Sequence, residues 1–569
     1  MGRIVGIDLG TTTSEIAYIK NGKPEIIKND YSNYNNNITP SVVGFDKNME
    51  LLIGQPAKNQ IVSAKDRTVA EVKRKIGTGD FVLMAGKRFT PVEISAIILK
   101  ELKRFGEAFL QEDITEAVIT VPANFNDAQR QATKEAGEKA GFIVERIINE
   151  PTAAALAFGI DNMETEGKIL VYDLGGGTFD VTILEMLEGS LDVMASRGVN
   201  QLGGKDFDEV VVGEIVQAFR DEYGIDLSKN LEAMGRIKEE AEKVKITLSS
   251  VNSATANLPY LASKDGKIIS FEMELTRKRY EELISDYVKK SMETVHEALV
   301  SARLRPNDID IVLAVGGSSR TPLVLQSLKE LFGDKLRGGI NPDEAVALGA
   351  AVQAGIKSGE ISGTGSIAIF DVCNHTLGTS VLKSDGEGLE YSRIIMRDTH
   401  LPFAKTRSYC TAHDFQKELL VDVYQGESDD LSQNIKIGEF EVEGVPENYA
   451  GKEKIDIEFQ YNINGMLEVN VTIVSTGKVT TEKINMYNYD APKSKSEQSM
   501  DELEWENYSL ASEIKTTVML YQNRRNGLPT EAREKADALM SQLKQAVTEN
   551  DAKKVEEIDD NLTALLFEF

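Results

Sequence analysis

The period of hydrophobic and polar positions changes along the chain and divides it into regions. From 1 to about 357, short apolar runs alternate with amphipathic segments of helical length, and Gly or Pro separates them. A recurring order of strand, helix and strand is typical of α/β domains. The clearest predicted elements are strands at 117–121 and 309–315, a helix at 127–140, and a helix at 321–332 with Thr321 as its cap.

From 373 to about 489 the pattern has a period of two, which is typical of half-buried strands. Turn residues interrupt it at short intervals, and Asn464-Gly465 is a hairpin signal between two of the runs. The predicted strands lie at 419–424, 455–461, 467–474 and 479–486. We therefore predict an antiparallel β-sandwich over 373–489.

Two further segments differ in composition from these domains. Residues 358–366 are small and polar and lead into the apolar stretch Ile367–Val372, so we predict an interdomain linker over 358–372. Residues 490–502 are polar and rich in Lys and Ser, and apolar residues recur at helical spacing after them. This seam is typical of a helix-bundle core, and we predict a short helical domain over 490–569.

Length and charge restrict the possible functions. The chain has 569 residues, enough for three to four domains, and a net charge of −27. A nucleic-acid backbone or an anionic membrane would be repelled on average, so neither is a predicted partner. No apolar run reaches bilayer length and the N-terminus leads directly into a strand, which together predict a cytoplasmic protein.

The cysteines and histidines add little chemistry to this picture. Cys373 and Cys410 are too few for a disulfide framework, and we expect them to serve in packing. The four histidines show no metal-ligand spacing. Zinc is therefore not a predicted cofactor.

One motif occurs twice. Asp8-Leu9-Gly10-Thr11-Thr12 follows an apolar strand and precedes another, and Asp173-Leu174-Gly175-Gly176-Gly177-Thr178 does the same. Glycine lets backbone N–H groups approach an anion closely, and threonine adds a hydroxyl donor. One copy alone could be an ordinary turn, because Gly-rich motifs have many false positives. The matched pair predicts two hairpins that face each other and hold a metal-bound polyphosphate.

The residue types in the two motifs indicate their roles. Asp8 and Asp173 are candidate magnesium-side carboxylates acting through bound water, since Mg²⁺ keeps much of its hydration shell. The candidate phosphate donors are Thr11, Thr12, Gly176, Gly177 and Thr178. No Gly-x4-Gly-Lys-[Ser/Thr] sequence occurs, which excludes a P-loop.

Three further candidates each have a plain structural alternative. Lys73 would reach the terminal phosphate, although a lysine alone is more often a solvated surface residue. Glu150 precedes a proline-started helix, where it could orient the attacking water or act only as a capping acid. Gly316-Gly317-Ser318 brings backbone close to a base or a ribose, or forms a simple strand-to-helix turn.

These residues resemble the seventy-kilodalton heat-shock (DnaK-like) chaperone family, within the actin and sugar-kinase ATPase superfamily. The resemblance extends over nearly the whole length. Its carriers are Ile7–Thr12, Val118–Ala123, Ile148–Ala155, Asp173–Asp180, Leu202-Gly203-Gly204, Val315-Gly316-Gly317 and Asn341–Val346. It implies a two-lobed, actin-like (ribonuclease-H-like) ATPase domain, a β-sandwich that binds peptides and a helical lid.

The resemblance also implies residue roles. ATP or ADP with Mg²⁺ would be bound by the motif residues Gly10, Thr13, Gly175, Gly203, Gly204 and Gly316 and, at the adenosine, by Glu242, Lys245, Ser249, Gly317, Ser318, Arg320 and Asp343. The implied interdomain relay consists of Pro122, Arg146 and Asp371. The implied client-peptide positions are Thr379, Val381, Ala412, Leu419 and Val421. Client polypeptides and a J-domain co-chaperone are the implied partners.

The chain departs from the family pattern at several points. The segment between Lys73 and Phe89 is short, Lys205 stands where an acid is typical, and Thr379 is polar for a client pocket. Ala368 and Phe370 replace aliphatic leucines of the linker, and the helical lid is short. This combination is most similar to the small HscC-like bacterial branch.

Fold alone does not assign function, so two alternatives stay open at this point. A small-molecule kinase or other phosphotransferase could use the same ATPase scaffold, but it would have little use for a C-terminal β-domain and lid. A filament-forming ATPase is a third possibility, although the appended domains would obstruct stacking. The leading prediction is an ATP-driven, peptide-binding chaperone.

Overall fold

A computed structural model of the chain describes residues 2–30, 37–161, 166–187, 190–264, 266–338, 341–361, 368–383, 388–484 and 530–548, together with scattered positions between 510 and 565. The chain divides into two compact units, Met1–Tyr489 and Asp490–Phe569. Positions 362–367 of the expected linker and the polar segment 490–502 lie outside the described residues.

The first part of unit Met1–Tyr489 alternates strands and helices. The strands are β1 (Arg3–Leu9), β2 (Thr13–Lys20), β3 (Lys23–Ile26), β4 (Thr39–Pro40), β5 (Val42–Phe45), β6 (Leu51–Ile53), β7 (Thr68–Ala70), β8 (Val82–Met84), β9 (Lys87–Phe89), β10 (Ile114–Val121), β11 (Ile143–Asn149), β12 (Gly167–Leu174), β13 (Phe179–Leu187), β14 (Ser190–Val199), β15 (Ser253–Lys264), β16 (Lys267–Thr276), β17 (Ile311–Val315), β18 (Leu336–Arg337) and β19 (Ala368–Phe370). The helices are α1 (Gln55–Asn59), α2 (Pro91–Leu110), α3 (Asp127–Lys139), α4 (Glu150–Asp161), α5 (Gly204–Tyr223), α6 (Leu231–Leu248), α7 (Arg277–Ser301), α8 (Pro322–Phe332) and α9 (Ala345–Ser358).

Two mixed sheets repeat one topology. The first has the order β11-β10-β1-β2-β3, with β4 paired to β2, and the second has the order β18-β17-β12-β13-β14-β19. In both, an antiparallel hairpin (β1–β2 or β12–β13) carries the repeated motif, and the first strand of the hairpin pairs in parallel with a later strand. The duplication predicted from the motif therefore extends to the arrangement of whole sheets.

Each sheet has its own hydrophobic core. Helices α2 and α3 cover the first sheet, where side chains such as Ile98, Leu99 and Phe105 are fully or almost fully buried. Helices α5, α6 and α7 cover one face of the second sheet, with Phe207, Phe219 and Tyr280 inside. Helices α4 and α9 pack into a third cluster that joins strands of both sheets. The two motif hairpins consequently project from rigid layers.

The β-domain contains two four-stranded antiparallel sheets, in the orders β21-β20-β23-β24 and β22-β25-β26-β27. Their strands are β20 (Leu377–Leu382), β21 (Leu389–Ile395), β22 (Phe403–Cys410), β23 (Glu418–Gln425), β24 (Ile435–Glu443), β25 (Lys454–Tyr461), β26 (Leu467–Ile473) and β27 (Lys478–Lys483). Alternating side chains from both sheets form one core. The predicted Asn464-Gly465 hairpin is confirmed: it joins β25 to β26, with Gly465 at φ +68°.

Two local expectations were wrong. Thr321 occupies the cap position of α8, but its side chain makes no capping bond, and its backbone oxygen accepts from Val324 and Leu325 instead. Cys373 is buried in the β-domain core as expected, whereas Cys410 is exposed, because it ends the edge strand β22. Helix α2 shows the capping that α8 lacks, since Thr90 and Glu93 form a reciprocal capping box.

Unit Asp490–Phe569 contains the helix α10 (Thr530–Thr548). Its apolar face, including Ala536, Leu543 and Val547, packs with Ile514, Val555 and Leu562 in a separate core. The predicted helical seam in this region is confirmed for the described positions. Among the described residues, no helix is long and apolar enough to cross a bilayer.

Candidate nucleotide site and interdomain junction

The two motif hairpins contact each other. A side-chain carbon added to Gly176 would lie 2.1 Å from Thr12 Oγ1, and one added to Gly177 would lie 2.9 Å from Thr11 Cγ2. Only glycine permits this approach. The predicted facing of the two hairpins is therefore confirmed, and their backbone N–H groups and hydroxyls border one space.

The two motif aspartates lie near the ends of the first strands of the two hairpins, close enough for the charge of Asp8 to act on Asp173. Asp8 accepts a hydrogen bond of 2.8 Å from Thr120 Oγ1, and Asp173 is buried. Burial raises the pKa of both carboxyl groups, and nearby acids raise that of Asp173 further, whereas Lys73 and the Thr120 hydroxyl act to lower that of Asp8. Crowded, desolvated carboxylates favour a cation between them.

Each motif aspartate has a second acid directly opposite it on the neighbouring strand. Asp8 pairs in register with Glu15, and Asp173 pairs in register with Asp180. Burial, followed by the charges of Asp8, Glu344 and Asp343, raises the pKa of Glu15 to about 10. Burial, followed by Glu150, raises the pKa of Asp180 to about 7. Each hairpin therefore carries two acids, and the number of residues between them is the same in both copies.

Lys73 and Glu150 form a buried ion pair at this site. Lys73 is 4% exposed, and its Nζ lies 2.5 Å from Glu150 Oε1. The alternative of a solvated surface lysine is therefore wrong. Burial raises the pKa of Glu150, against the opposing effect of Lys73. The pair places a cation beside the acidic cluster, where it offsets part of the negative charge.

Residues from the second lobe close the back of the second hairpin. The N–H of Gly204 donates to Gly175 O over 2.9 Å, and Ser318 Oγ donates to the same oxygen over 2.9 Å. Gly203 packs against the Gly176 backbone, where an added carbon would lie 2.6 Å from it. Gly316 has φ +77°, and an added carbon would lie 2.5 Å from Leu174 O. These glycines permit three chain segments to converge.

The residues expected at the adenosine lie on neighbouring elements of this lobe. Helix α6 carries Glu242 and Lys245, and Ser249 caps its C-terminus. Lys245 Nζ donates to Gly204 O over 3.1 Å and pairs with Asp208 at 2.8 Å. Arg320 pairs with Asp343 at 2.8 Å, and Gly317 packs against that carboxylate. Thr13 begins β2 and pairs with Pro40.

A cavity of about 530 Å³ lies between the lobes. Its lining includes Thr11, Thr12, Lys58, Lys205 and Glu242. The Thr12 hydroxyl is buried without a hydrogen-bond partner among the described atoms, so it is available as a donor. A cavity of this size, lined by two threonines and by lysines of both lobes, fits an anionic ligand such as a nucleotide polyphosphate.

Ion pairs between the lobes border the mouth of the cavity. Arg74 pairs with Asp206 at 2.9 Å and donates to Gly177 O. Lys58 lies 3.8 Å from Glu242, and Lys205 lies 3.7 Å from Glu71. Arg74 therefore reaches the opposite lobe from the helical turn Val72–Lys75, which also carries Lys73.

The expected relay residues lie where the ATPase domain contacts the β-domain. Asp371 is buried and accepts from Asn149 Nδ2 at 2.7 Å, and Asn149 in turn accepts from Arg130. Arg146 donates to Gln353 at 2.8 Å, and its positive charge acts on Asp371 without a direct hydrogen bond among those described. Next to Pro122, Ala123 O accepts from Asn374 of the β-domain.

The expected client positions lie mostly on one face of two adjacent strands. Antiparallel pairing places Thr379 of β20 opposite Val423 of β23, so Thr379, Val381, Leu419 and Val421 alternate onto one face. Thr379 and Val421 are buried, Val381 and Leu419 are half-buried, and Ala412 is exposed in the loop after β22. The other four positions thus lie on strands, whereas Ala412 lies in the loop between β22 and β23.

Several neighbouring residues were not found from the sequence. Asp180 and Glu15 had a signal, because each follows its motif aspartate at the same spacing. Thr120 lies within a recognisable strand, but nothing in its own residue type indicated a contact with Asp8. The Arg197–Asp398 contact joins positions 201 apart, and no local pattern predicts such a pair.

Comparisons with known proteins give one consistent result. The model of the Hsp70 protein family matches residues 4–83 and 79–568. The chain is 41% identical to the chaperone protein DnaK of Thermosipho africanus over 98% of this chain and 94% of that protein. It is 41% identical to that of Thermosipho melanesiensis and 40% identical to that of Thermotoga maritima, each over 98% of this chain and 95% of the relative.

Proposed function

Because the chain belongs to the Hsp70 family, we propose that nucleotide in the N-terminal cleft controls how tightly the β-domain holds a client polypeptide. The chain is an ATP-dependent molecular chaperone: it hydrolyses ATP with Mg²⁺ and binds client polypeptides. The family match continues through the C-terminal half. That extent argues against the kinase and filament alternatives, which would not use this half.

We assign the nucleotide roles as follows. Thr11, Thr12, Gly176, Gly177 and Thr178 would donate to the phosphates, and Asp8 and Asp173 would hold the magnesium water shell. Lys73 would offset the charge of the terminal phosphate, and Glu150 would orient the attacking water. The facing hairpins and the buried Lys73–Glu150 pair support this assignment. Glu242, Lys245, Ser249, Arg320 and Asp343 would surround the adenosine.

One observation carries the proposed coupling: nucleotide-site segments and β-domain segments are in direct contact. The strand β11 ends at Asn149, which bonds to Asp371, and Glu150 follows immediately in the chain. Asp180, opposite Asp173, accepts from Asn124, whose backbone oxygen contacts His375 of the β-domain. A change in the phosphate site can therefore act on the junction through adjacent residues.

We further propose the finer organisation. The ATPase domain would span 1–357, the linker 358–372, the β-domain 373–489 and the lid 490–569. Clients would bind as extended segments at Thr379, Val381, Ala412, Leu419 and Val421 by strand addition. A J-domain co-chaperone would be the second partner. The chain would belong to the HscC-like branch, and it would act in the cytoplasm.

Reciprocal coupling gives the test. If client binding depends on nucleotide, then a client must also change nucleotide turnover. We expect a dye-labelled leucine-rich heptapeptide to bind the full chain and to change its steady-state ATPase rate. A peptide that binds without any change in turnover would refute the coupling. Capture of polypeptides on the wild-type chain held with ADP, the state expected to release them slowly, would then identify natural clients.

A further inference from the structure

A three-residue cluster connects the ATPase domain to the β-domain at a place away from the expected Arg146 relay. Arg197 lies on β14, Ser301 ends α7, and Asp398 lies in the β-domain loop between β21 and β22. Arg197 Nη1 and Nη2 donate to the two carboxylate oxygens of Asp398, each over 2.8 Å. Two parallel bonds of this kind are the strongest arginine–carboxylate geometry.

Ser301 completes the cluster. Its Oγ donates to Asp398 Oδ2 over 2.7 Å and accepts from Arg197. The Arg197 side chain is 10% exposed and that of Asp398 is 21% exposed, so water competes little for the pair. Burial acts to raise the pKa of Asp398, but the bonds from Arg197 and Ser301 outweigh it and hold the pKa below its usual value.

The loop that presents Asp398 is held in an unusual conformation. Asp398 has φ +62°, a backbone region that is uncommon for a residue other than glycine. Its N–H donates to Cys373 O, and Cys373 N–H donates to Thr399 O, which ties the loop to the start of the β-domain. Strain of this kind persists where the surroundings determine it, which is common at functional sites.

Arg197 also stands on the route to the phosphate site. It pairs in register with Val181 of β13, and its neighbour Gly198 pairs with Asp180, which faces the acidic cluster. The strand β14 then leads to Gly203, which packs against the Gly176 backbone. The same strand pairs with β19 of the linker through Leu191 and Ile369. One strand therefore connects the phosphate site, the linker and the β-domain loop.

We propose that Arg197, Asp398 and Ser301 are positioning residues that hold the β-domain docked on β14 and transmit the nucleotide state to the client site. This inference rests on the nucleotide-controlled client binding proposed above. Other charged groups around the cluster are Arg397, Glu427 and Glu297, and Arg397 lies close enough to Arg197 to repel it. Only Asp398 satisfies Arg197 bidentately among the described side chains.

Charge reversal and charge exchange test the pair in the full-length chain. The readout is the release rate of a dye-labelled leucine-rich heptapeptide with ATP divided by that with ADP. We expect Arg197→Glu and Asp398→Arg each to bring this ratio close to 1, because each leaves a charge of little exposure facing its like. The double variant Arg197→Glu with Asp398→Arg restores the pair in reverse, and we expect it to recover most of the ratio.

A control variant and a milder variant distinguish loss of the ion pair from a change in net charge and from misfolding. Lys289→Glu changes the net charge as much as Arg197→Glu does, but it lies exposed on α7 and should leave the ratio unchanged. Asp398→Asn keeps the size of the side chain and serves if a reversal fails to fold. Asp398→Asn leaves Arg197 without its carboxylate partner, so we expect it to lower the ratio in the same direction as the reversals.

Two results would overturn the inference. One is a wild-type ratio in both single reversals, and the other is a double variant that loses the ratio as fully as the two reversals combined. If wild type itself releases the peptide equally with ATP and ADP, the proposed coupling fails together with this inference. If wild type responds to ATP and the variants respond equally, only the role of the cluster fails.

Discussion

At the scale of single residues, burial gives the site its chemistry. Lys73 and Glu150 are ordinary surface residue types, but here they form a pair almost without solvent contact beside Asp8 and Asp173. In such a site a charge interacts more strongly than it does in water. The same burial makes each unpaired carboxyl group costly, which is why a cation is favoured between the two hairpins.

Removal of the Lys73 charge should slow hydrolysis strongly. For Lys73→Met we expect the single-turnover rate of ATP hydrolysis to fall about a hundredfold or more, because a preorganised cation near the developing charge is lost. Lys75→Met is the matched control, since Lys75 is exposed in the same helical turn. A Lys73→Met rate within threefold of that of the control would contradict the assigned role.

His375 should make domain docking depend on pH. It contacts Asn124 O of the ATPase domain, and burial, followed by the charge of Arg397, lowers its pKa from 6.5 to about 4. Arg130 also opposes its protonation, whereas Glu427 favours it. The neutral form of His375 therefore stabilises the docked state above pH 6.5, and this stabilisation is lost as the pH falls toward 4. Arg397 belongs to the β-domain itself, so docking causes only part of this shift; relative to His375→Gln, we expect docking to weaken as the pH falls, by up to about tenfold at pH 5.5.

The comparison with His375→Gln is necessary because Asp127 acts in the opposite direction. Burial raises the pKa of Asp127 to about 6 beneath Tyr461, so this group favours docking as the pH falls. Energy transfer between dyes on cysteines introduced at the exposed positions Lys329 and Lys452, with Cys410→Ser, would report the docked fraction. Parallel pH profiles for wild type and His375→Gln would refute the prediction.

At the scale of elements, a helix or hairpin could be predicted when residues adjacent in the sequence indicated it. The motif hairpins, α3 and the β25–β26 hairpin were all indicated by residues adjacent in sequence, and the structure has each of them. The partners of Lys73 and Arg197 lie 77 and 201 positions away, and no local periodicity carries such information. Thr321 shows the other limit, since its residue type favours a cap but its side chain makes no capping bond.

We expect the linker strand β19 to couple the two domains through its core-facing side chain, Ile369, and not through Phe370. In β19, Ile369 packs with the core around α4 and α9, while Phe370 is 47% exposed, as strand alternation requires. We expect Ile369→Asp to abolish the change in ATPase rate that a bound peptide causes, because a buried charge would detach β19 from β14. Phe370→Ser should retain that change. Equal behaviour of the two variants would contradict the pairing.

The ion pairs at the mouth of the cavity should slow nucleotide release. Lys205→Glu places a carboxylate near Glu71, Asp208 and Glu242, so we expect dissociation of a fluorescent ADP analogue to become about fivefold faster at low salt. Lys289→Glu is the control, because its ion pair with Glu293 stays within α7 and neither residue lines the cavity. An unchanged rate for Lys205→Glu would exclude the role.

At the scale of the whole molecule, one structural repeat is joined to a different domain. Two sheets of like topology hold the facing hairpins, and the last strand of the second sheet is β19, which leads into the β-domain. The β-domain bonds back to β11, to the segment after Pro122 and to β14. The proposed phosphate and client positions thus lie in domains that contact each other through short, packed elements.

The central claim is that nucleotide in the cleft controls client release, and one stopped-flow measurement tests it. The full chain is loaded with a dye-labelled leucine-rich heptapeptide and mixed with ATP or with ADP. We predict release with ATP to be faster by roughly 5- to 150-fold, and equally fast in Thr178→Ala, where ATP binds but is hydrolysed slowly. Equal release rates with ATP and ADP in the wild-type chain would contradict the account.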